Sequence, residues 1–170
     1  MTPRKPARRA ALGGSRPTLR VIREILFFEP KGRGTLPSLA LDYLNHIVTR
    51  RSVVFFISDF QAEDFSRALT ITSRRHDLIA VRIDDLREET LPNIGIITLE
   101  DAETGEQIEI NTGDRQTRSR FSALAEQKRA DVTHVLRRNN IDAISLRTGD
   151  DYLPALRAFF KQRERRMARR

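Results

Sequence analysis

Residues 52–60 read Ser-Val-Val-Phe-Phe-Ile-Ser-Asp-Phe, and this stretch decides the fold class. Its five consecutive apolar residues are β-branched or aromatic, which predicts a strand buried on both faces and therefore central in a parallel sheet. The strand, from Ser52 to Ser58, delivers Asp59 to the carboxyl end of that sheet. Ligands bind at this edge of open α/β sheets, so Asp59 is the first candidate for a functional residue.

Helices and further strands alternate on either side of this strand. The hydrophobic periodicity predicts helices at residues 18–28, 36–49, 62–73, 114–138 and 152–165, and core strands at residues 77–83 and 141–146. Residues 95–99 and 107–110 flank a turn and predict an added β-hairpin with one wet face. This order of elements predicts an α/β fold with a parallel, doubly wound, Rossmann-like sheet. The buried face of the second helix is predicted to consist of Leu36, Ala40, Leu44, Ile47 and Val48.

The composition excludes several kinds of functional site. The chain has 170 residues, enough for one domain with a core, and it has no cysteine, which excludes disulfides, thiol nucleophiles and zinc–thiolate sites. No apolar run approaches the ~20 residues of a membrane helix. We therefore expect no transmembrane segment and a cytoplasmic location.

The formal net charge of +8 lies almost entirely at the two ends of the chain. Four bases in residues 1–9, and six bases with one acid in residues 161–170, leave the body nearly neutral. We expect residues 1–16 to be a disordered basic N-terminus and residues 167–170 a basic tail. Binding of nucleic acid or anionic surfaces through these ends is one alternative function. Specific nucleic-acid binding is not expected, because two Tyr and no Trp offer few platforms for base stacking.

No catalytic motif stands out. The sequence has no Gly-x-Ser-x-Gly, no Walker-type loop and no Gly-x-Gly-x-x-Gly before a helix. The three histidines, His46, His76 and His134, are each predicted to be surface or interface residues. Neither a catalytic triad nor a nucleotide site is therefore predicted.

Thr35 and Asp59 are the candidate pair. Thr35 begins a predicted helix and Asp59 ends a predicted strand, so both can reach the carboxyl edge of the sheet. A hydroxyl and a carboxylate are hard oxygen ligands that suit magnesium, manganese or calcium. The alternative is structural, with Thr35 as an ordinary helix N-cap and Asp59 as the cap of the helix that follows it.

A family resemblance bears on this pair. Residues 33–36, Arg-Gly-Thr-Leu, are followed by a helix and by residues 50–60, Arg-Arg-Ser-Val-Val-Phe-Phe-Ile-Ser-Asp-Phe. Together they resemble the second half of a von Willebrand factor A-like domain, and most closely the bacterial family called domain of unknown function 58. Further similar stretches are residues 74–82, 91–95, 99–105 and 151–156, and Phe159-Phe160. The domain implied by the resemblance covers residues 17–166.

The resemblance implies an incomplete metal-ion-dependent adhesion site. In von Willebrand A domains a threonine, an aspartate and an Asp-x-Ser-x-Ser loop hold a divalent cation, and the first two correspond to Thr35 and Asp59. The loop is absent from this sequence, and Leu36 stands where family members tend to have Asp. We therefore expect the chain alone to bind no cofactor, and Mg2+ or Mn2+ to bind only when the site is completed. Thr35, Ser58 and Asp59 are the expected partner-binding residues.

The function implied by the resemblance is a non-catalytic protein-interaction module that works with a MoxR-type AAA ATPase. The alternative enzyme is a metal-dependent phosphohydrolase that uses Asp59, with Asp84, Asp85 and Asp150 as further acids. The first three strands of the fold are absent, which predicts a truncated domain whose strand Ser52–Ser58 has a bare apolar edge. Such an edge is a site of pairing with another chain, including self-association.

Overall fold

The computed structural model describes residues 15–28, 36–62, 65–100 and 105–168. Residues 1–33 form one unit and residues 34–170 another. The first unit contains α1 (Ser15–Leu26). The elements of the second unit are, in chain order, α2 (Pro37–Ile47), β1 (Val53–Ser58), α3 (Ser66–Arg75), β2 (Asp77–Asp84), α4 (Leu86–Glu89), β3 (Ile96–Glu100), β4 (Gln107–Asn111), α5 (Arg115–Arg138), β5 (Asp142–Arg147) and α6 (Leu153–Met167).

The architecture is mixed α/β with two separate sheets. β1, β2 and β5 form a parallel sheet in the order β1-β2-β5, and β3 pairs with β4 in an antiparallel hairpin. Each predicted strand is present within one or two residues of its expected position, and the added hairpin is confirmed. The short helix α4 was not predicted, because its four residues are too few to show a helical period.

The central strand is β2, so the expectation that residues 52–58 form a central strand is wrong, whereas the expectation of an apolar edge strand there agrees with the order of the described strands. The four apolar residues of β2 from Leu78 to Val81 are all buried. In β1, by contrast, Val53, Phe55 and Ile57 are 58%, 46% and 66% exposed, and only Val54 is buried. β1 lies at an edge of the sheet, since β2 is its only neighbour among the described strands. The face of β1 that carries Val53, Phe55 and Ile57 is only partly covered.

The core lies on both faces of β2. On one face, Leu78 and Ala80 pack with Leu69 of α3 and with Val132 and Leu136 of α5. On the other, the side chains of β2 and β5 pack against α6, and that cluster consists of Ile79, Val81, Ile144 and Phe159. Alternate residues of a strand point to opposite faces, so one continuous apolar run in β2 serves both clusters.

Helix α2 buries a face that overlaps only partly with the predicted one, because Leu44 packs against the core as predicted whereas Ala40 is exposed. Leu36 is 64% exposed and Ile47 39% exposed, whereas Leu41 and Asn45 are buried. The amide Nδ2 of Asn45 donates to Thr72 Oγ1 on α3 at 2.7 Å. A polar residue can be buried here because its partner lies on another helix, and such a partner leaves no trace in the local periodicity.

The basic C-terminal segment is helical and partly paired. α6 extends to Met167, and its Arg163 forms ion pairs with Asp77 and Asp142, at the amino ends of β2 and β5. Arg166 pairs with Asp142 at 2.9 Å. Both bases lie within the predicted domain of residues 17–166, and they join α6 to the sheet.

Helix α1 has the predicted apolar face, formed by Leu19, Ile22, Ile25 and Leu26, and these side chains are 47–73% exposed. Its polar side carries an Arg20–Glu24 ion pair of 2.9 Å. Across the described segments, no helix is long and apolar enough to span a membrane.

Candidate functional site

The carboxyl edge of the parallel sheet is formed by the ends of three strands. The strand register places Ser58 beside Arg82 and Asp84 beside Arg147. Asp59 follows β1 directly and is exposed. The sheet therefore brings one solvent-facing acid and a charged cluster to the same edge.

Asp59 is held in a turn. Its Oδ1 accepts a hydrogen bond from the backbone N–H of Gln61 at 3.0 Å, and the hydroxyl of Ser58 lies 3.5 Å from the same oxygen. Ser58 Oγ in turn accepts from the backbone N–H of Phe60 at 3.0 Å. The next helix begins only at Ser66, so the alternative that Asp59 caps that helix is wrong. One carboxylate oxygen organises the turn, and the side chain faces solvent.

The buried side chain of Phe60 stabilises this turn. Its φ is +60°, in the left-handed region that is unfavourable for a residue with a side chain. Its ring is buried and packs edge-on against Phe56, with centroids 5.5 Å apart, and against Phe65 at 5.3 Å. The burial of the ring offsets the unfavourable backbone conformation, and the turn that contains Phe60 holds Asp59 at the end of β1. Strained backbone of this kind concentrates at functional sites.

Thr35, the other expected metal ligand, lies outside the described residues. Of the expected partner-binding residues, the structure therefore places Ser58 and Asp59 together. Among residues 36–62, 65–100 and 105–168, and in α1, no three acidic or histidine side chains are grouped so that they could hold a metal ion.

Two other acids near this edge, Asp84 and Glu89, form ion pairs with arginines. Asp84 lies 3.0 Å from Arg82 and 3.8 Å from Arg129. Glu89 of α4 lies 2.7 Å from Arg129 and 3.6 Å from Arg147. The result is a network of two carboxylates and three arginines that joins β2, β5, α4 and α5.

The remaining two candidate acids have different roles. Asp85 caps α4, because its side chain accepts a hydrogen bond from Arg87 N at 2.9 Å. Asp150 lies in the exposed turn after β5. Of the three further acids proposed for a phosphohydrolase, Asp84 is an ion-pair partner, Asp85 is a helix cap and Asp150 is an exposed surface residue.

A groove of about 680 Å3 lies beside the network. Arg82 lines this groove, and its side chain donates hydrogen bonds to Ser145 Oγ at 2.9 Å and to Thr133 Oγ1 at 3.4 Å. The walls are side chains of α5 of both charges, namely Glu126, Arg129, Ala130, Asp131, Thr133, His134 and Arg137. The mixed charge gives the groove no clear preference for an anion or a cation.

His76 is buried at the opposite, amino edge of the sheet. It is 1% exposed, which contradicts its assignment as a surface or interface residue, whereas His46 and His134 are exposed as predicted. Its Nδ1 accepts a hydrogen bond from Ser52 N at 3.4 Å, and its Nε2 has no partner within the described residues. Burial lowers the pKa of His76, and the positive charges of Arg75 and Arg51 lower it further.

This burial predicts a pH-dependent stability. The unfolded chain has the higher His76 pKa, near 6.5, so below that pH it binds more protons than the folded chain. The contribution of His76 to the free energy of unfolding is therefore complete above about pH 6.5 and declines as the pH falls towards the lowered value. Denaturant unfolding measured between about pH 7.5 and pH 5 should show a smaller loss of stability in His76→Leu than in the wild type. His46→Gln is the matched control, and an unchanged pH dependence in His76→Leu would contradict the assignment.

Three features were not predicted from sequence. At the carboxyl edge they are the left-handed conformation of Phe60 and the ion-pair network around Arg82 and Arg129, and elsewhere in the fold it is the burial of Asn45, Thr72 and His76. The aromatic residues Phe56, Phe60 and Phe65 lie close together in sequence, and that spacing was the one available signal for the locked turn.

Comparison with known proteins places the chain in a group without assigned activity. A family model described as "Protein of unknown function DUF58" matches residues 4–131. The chain is 37% identical over 134 residues to the uncharacterized protein MAV169 of Mycobacterium avium, and the similarity covers 78% of each chain. It is 34% identical over 134 residues to the uncharacterized proteins Rv1480 of Mycobacterium tuberculosis and Mb1516 of Mycobacterium bovis, covering 78% of this chain and 42% of theirs. No solved structure matches the chain significantly.

Proposed function

The chain belongs to the family described as Protein of unknown function DUF58, and from this premise we propose that it is a non-catalytic protein-interaction module. Its parallel sheet is assigned to the doubly wound, von Willebrand factor A-like class. The partner binds at the carboxyl edge of that sheet, where Ser58 and Asp59 lie. The proposed partner is a MoxR-type AAA ATPase in the cytoplasm.

The observation that carries this proposal is the presentation of Asp59. The carboxylate is exposed, and a turn with an unfavourable φ at Phe60 holds it in place. A rigid, exposed acid loses little conformational entropy when it binds a partner or a partner-held cation.

Cation binding is proposed to depend on the partner. Hard divalent cations take about six oxygen ligands. Asp59 offers a carboxylate, and Thr35 is the second ligand in the proposed site. A partner that contributes an acidic group would complete the coordination of Mg2+ or Mn2+, so the cation would be bound between the two proteins.

The neighbouring acids favour an interaction role over hydrolysis. A metal-dependent phosphohydrolase needs several unpaired carboxylates around the cation. Asp84 and Glu89 are neutralised by Arg82, Arg129 and Arg147, and Asp85 caps a helix. Asp59 is left as an acid that presents its charge to solvent next to the end of β1.

The test compares two matched acids at the same edge. Binding of the chain to an immobilised MoxR-type ATPase should require millimolar Mg2+ or Mn2+, and Asp59→Asn should weaken it by about tenfold or more, the loss of roughly 1.4 kcal/mol. Asp150→Asn removes an equally exposed acid and should leave the affinity unchanged. Thermal unfolding of the isolated chain should not shift when Mg2+ or Mn2+ is added.

Two outcomes would contradict the proposal. If the partner binds without a cation and binding survives Asp59→Asn, the partner does not bind at the carboxyl edge of the sheet. Hydrolysis of p-nitrophenyl phosphate that depends on both Mg2+ and Asp59 would establish the phosphohydrolase instead.

A further inference from the structure

The outer edge of β1 presents unpaired backbone groups. The carbonyl of Ser52 accepts a hydrogen bond from Asp77 N, so the backbone of Ser52 faces β2. Backbone groups alternate in direction along a strand, and those of Val54, Phe56 and Ser58 therefore also face β2. The N–H and C=O groups of Val53, Phe55 and Ile57 point away from β2, where no strand of the described residues pairs with them.

The same three residues expose their side chains. Val53, Phe55 and Ile57 lie on one face of β1 and are about half exposed or more. The ring of Phe160, itself 43% exposed, lies 6.3 Å from that of Phe55 and extends the apolar surface onto α6. An occupant of this edge must therefore supply both backbone hydrogen bonds and apolar side chains, which only another β-strand does.

Nothing in β1 opposes such pairing. Natural edge strands are protected by charged residues, proline or bulges. The other edge of the sheet, β5, has Asp142 and Arg147 at its ends, and both are in ion pairs. Residues 52–58 contain neither a charge nor a proline.

We propose that the strand which covers this edge is β1 of a second copy of the chain, paired antiparallel about a two-fold axis at Phe55. In that register Phe55 lies opposite its own counterpart, and Val53 lies opposite Ile57. The outward-facing groups of the three residues then form about six inter-chain hydrogen bonds, two for each opposed pair. The two three-stranded sheets become one continuous sheet of six strands.

Charge complementarity selects this register. With Phe55 on the axis, the residues that flank the strands come together, because Arg51 precedes β1 of one copy where Asp59 follows β1 of the other. Arg51 and Asp59 are both exposed. A shift by two residues would lose both opposite-charge pairs and would move Phe55 away from its counterpart.

The proposed dimer does not rest on the proposed function, but it limits when a partner can bind. The dimer engages Asp59 with Arg51 of the second copy, so dimerisation and binding of a partner through Asp59 exclude one another. The chain would then be a dimer when alone and a monomer when bound.

The test is the molecular mass in solution, measured by sedimentation velocity over a range of concentrations. The wild type should form a dimer. Phe55→Lys places a charge at the axis and should raise the dissociation constant at least tenfold, whereas Leu124→Lys, which makes the same kind of change at an exposed residue of α5, should not. Circular dichroism shows whether each variant is folded.

A charge exchange tests the register itself. Arg51→Asp should weaken the dimer, and the double variant Arg51→Asp with Asp59→Arg should restore it. A wild type that stays monomeric at all concentrations overturns the inference, as does a dimer that persists in Phe55→Lys. Failure of the double variant to restore the dimer overturns the proposed register. Because the charge exchange is read out without any partner, its failure is distinguishable from failure of the ATPase interaction.

Discussion

Leu69→Ala is expected to lower the free energy of unfolding by about 2–5 kcal/mol. Leu69 of α3 is fully buried, and it packs in the cluster that joins α3 and α5 to β2. Truncation removes apolar contacts and leaves a cavity, because residues on three elements cannot all move to fill it. Against a total stability of about 5–15 kcal/mol for a typical domain, this is a large share.

The measurement is equilibrium unfolding in urea, with Leu124→Ala as the matched control. Leu124 also lies on a helix but is 66% exposed. The control should change the stability by less than about 0.5 kcal/mol. If the two variants lose stability equally, α3 does not pack on the sheet as described.

Phe60→Ala is expected to cost about 3–5 kcal/mol, because the buried ring and its two aromatic contacts are lost. The alanine would also have to keep the left-handed φ without a ring to offset it. Phe60→Gly loses the same ring but adopts that φ freely, so it should be more stable than Phe60→Ala by about 1 kcal/mol. At most positions the order of alanine and glycine is the reverse.

The order of the two variants is the informative result, since both lose the ring. Unfolding of each in urea gives the difference directly. Phe60→Ala more stable than Phe60→Gly would mean that the turn after β1 is not left-handed, and Asp59 would lose its rigid support.

The positions of the strands and of most helices follow from local pattern. A period of two or a continuous apolar run marks the strands, and turn residues mark their ends, so β1, β2 and β5 were located within one or two residues. The left-handed residue after α5 was also predictable, since Asn140, with φ +53°, belongs to a residue type that tolerates this conformation.

The neighbours of each element were not predictable from the same pattern. Residues 52–58 are as apolar as a central strand, yet whether such a strand is central depends on what lies beside it in space. Asn45 is buried because Thr72 reaches it from another helix, and Arg163 is ordered because Asp77 and Asp142 are the first residues of two adjacent strands. These facts depend on contacts between residues far apart in the chain.

The residues of the candidate site likewise include some that local pattern predicts and others that depend on contacts between distant parts of the chain. Asp59 was predicted from its place at the end of a strand, and the structure locates it at the carboxyl edge of the sheet. The arginines that neutralise Asp84 and Glu89 come from β2, α5 and β5, so no local spacing reveals them.

The central place of β2 has a consequence for the order of folding. β1 and β2 are joined by a short segment that contains α3, whereas β2 and β5 are separated by α4, the hairpin and α5. Closing a long loop costs more chain entropy than closing a short one, so the pairing of β1 with β2 should come early and the docking of β5 late. Before β5 pairs with β2, the second side of β2 is also unpaired, so a β1-β2 pair formed early would expose two apolar edges instead of one.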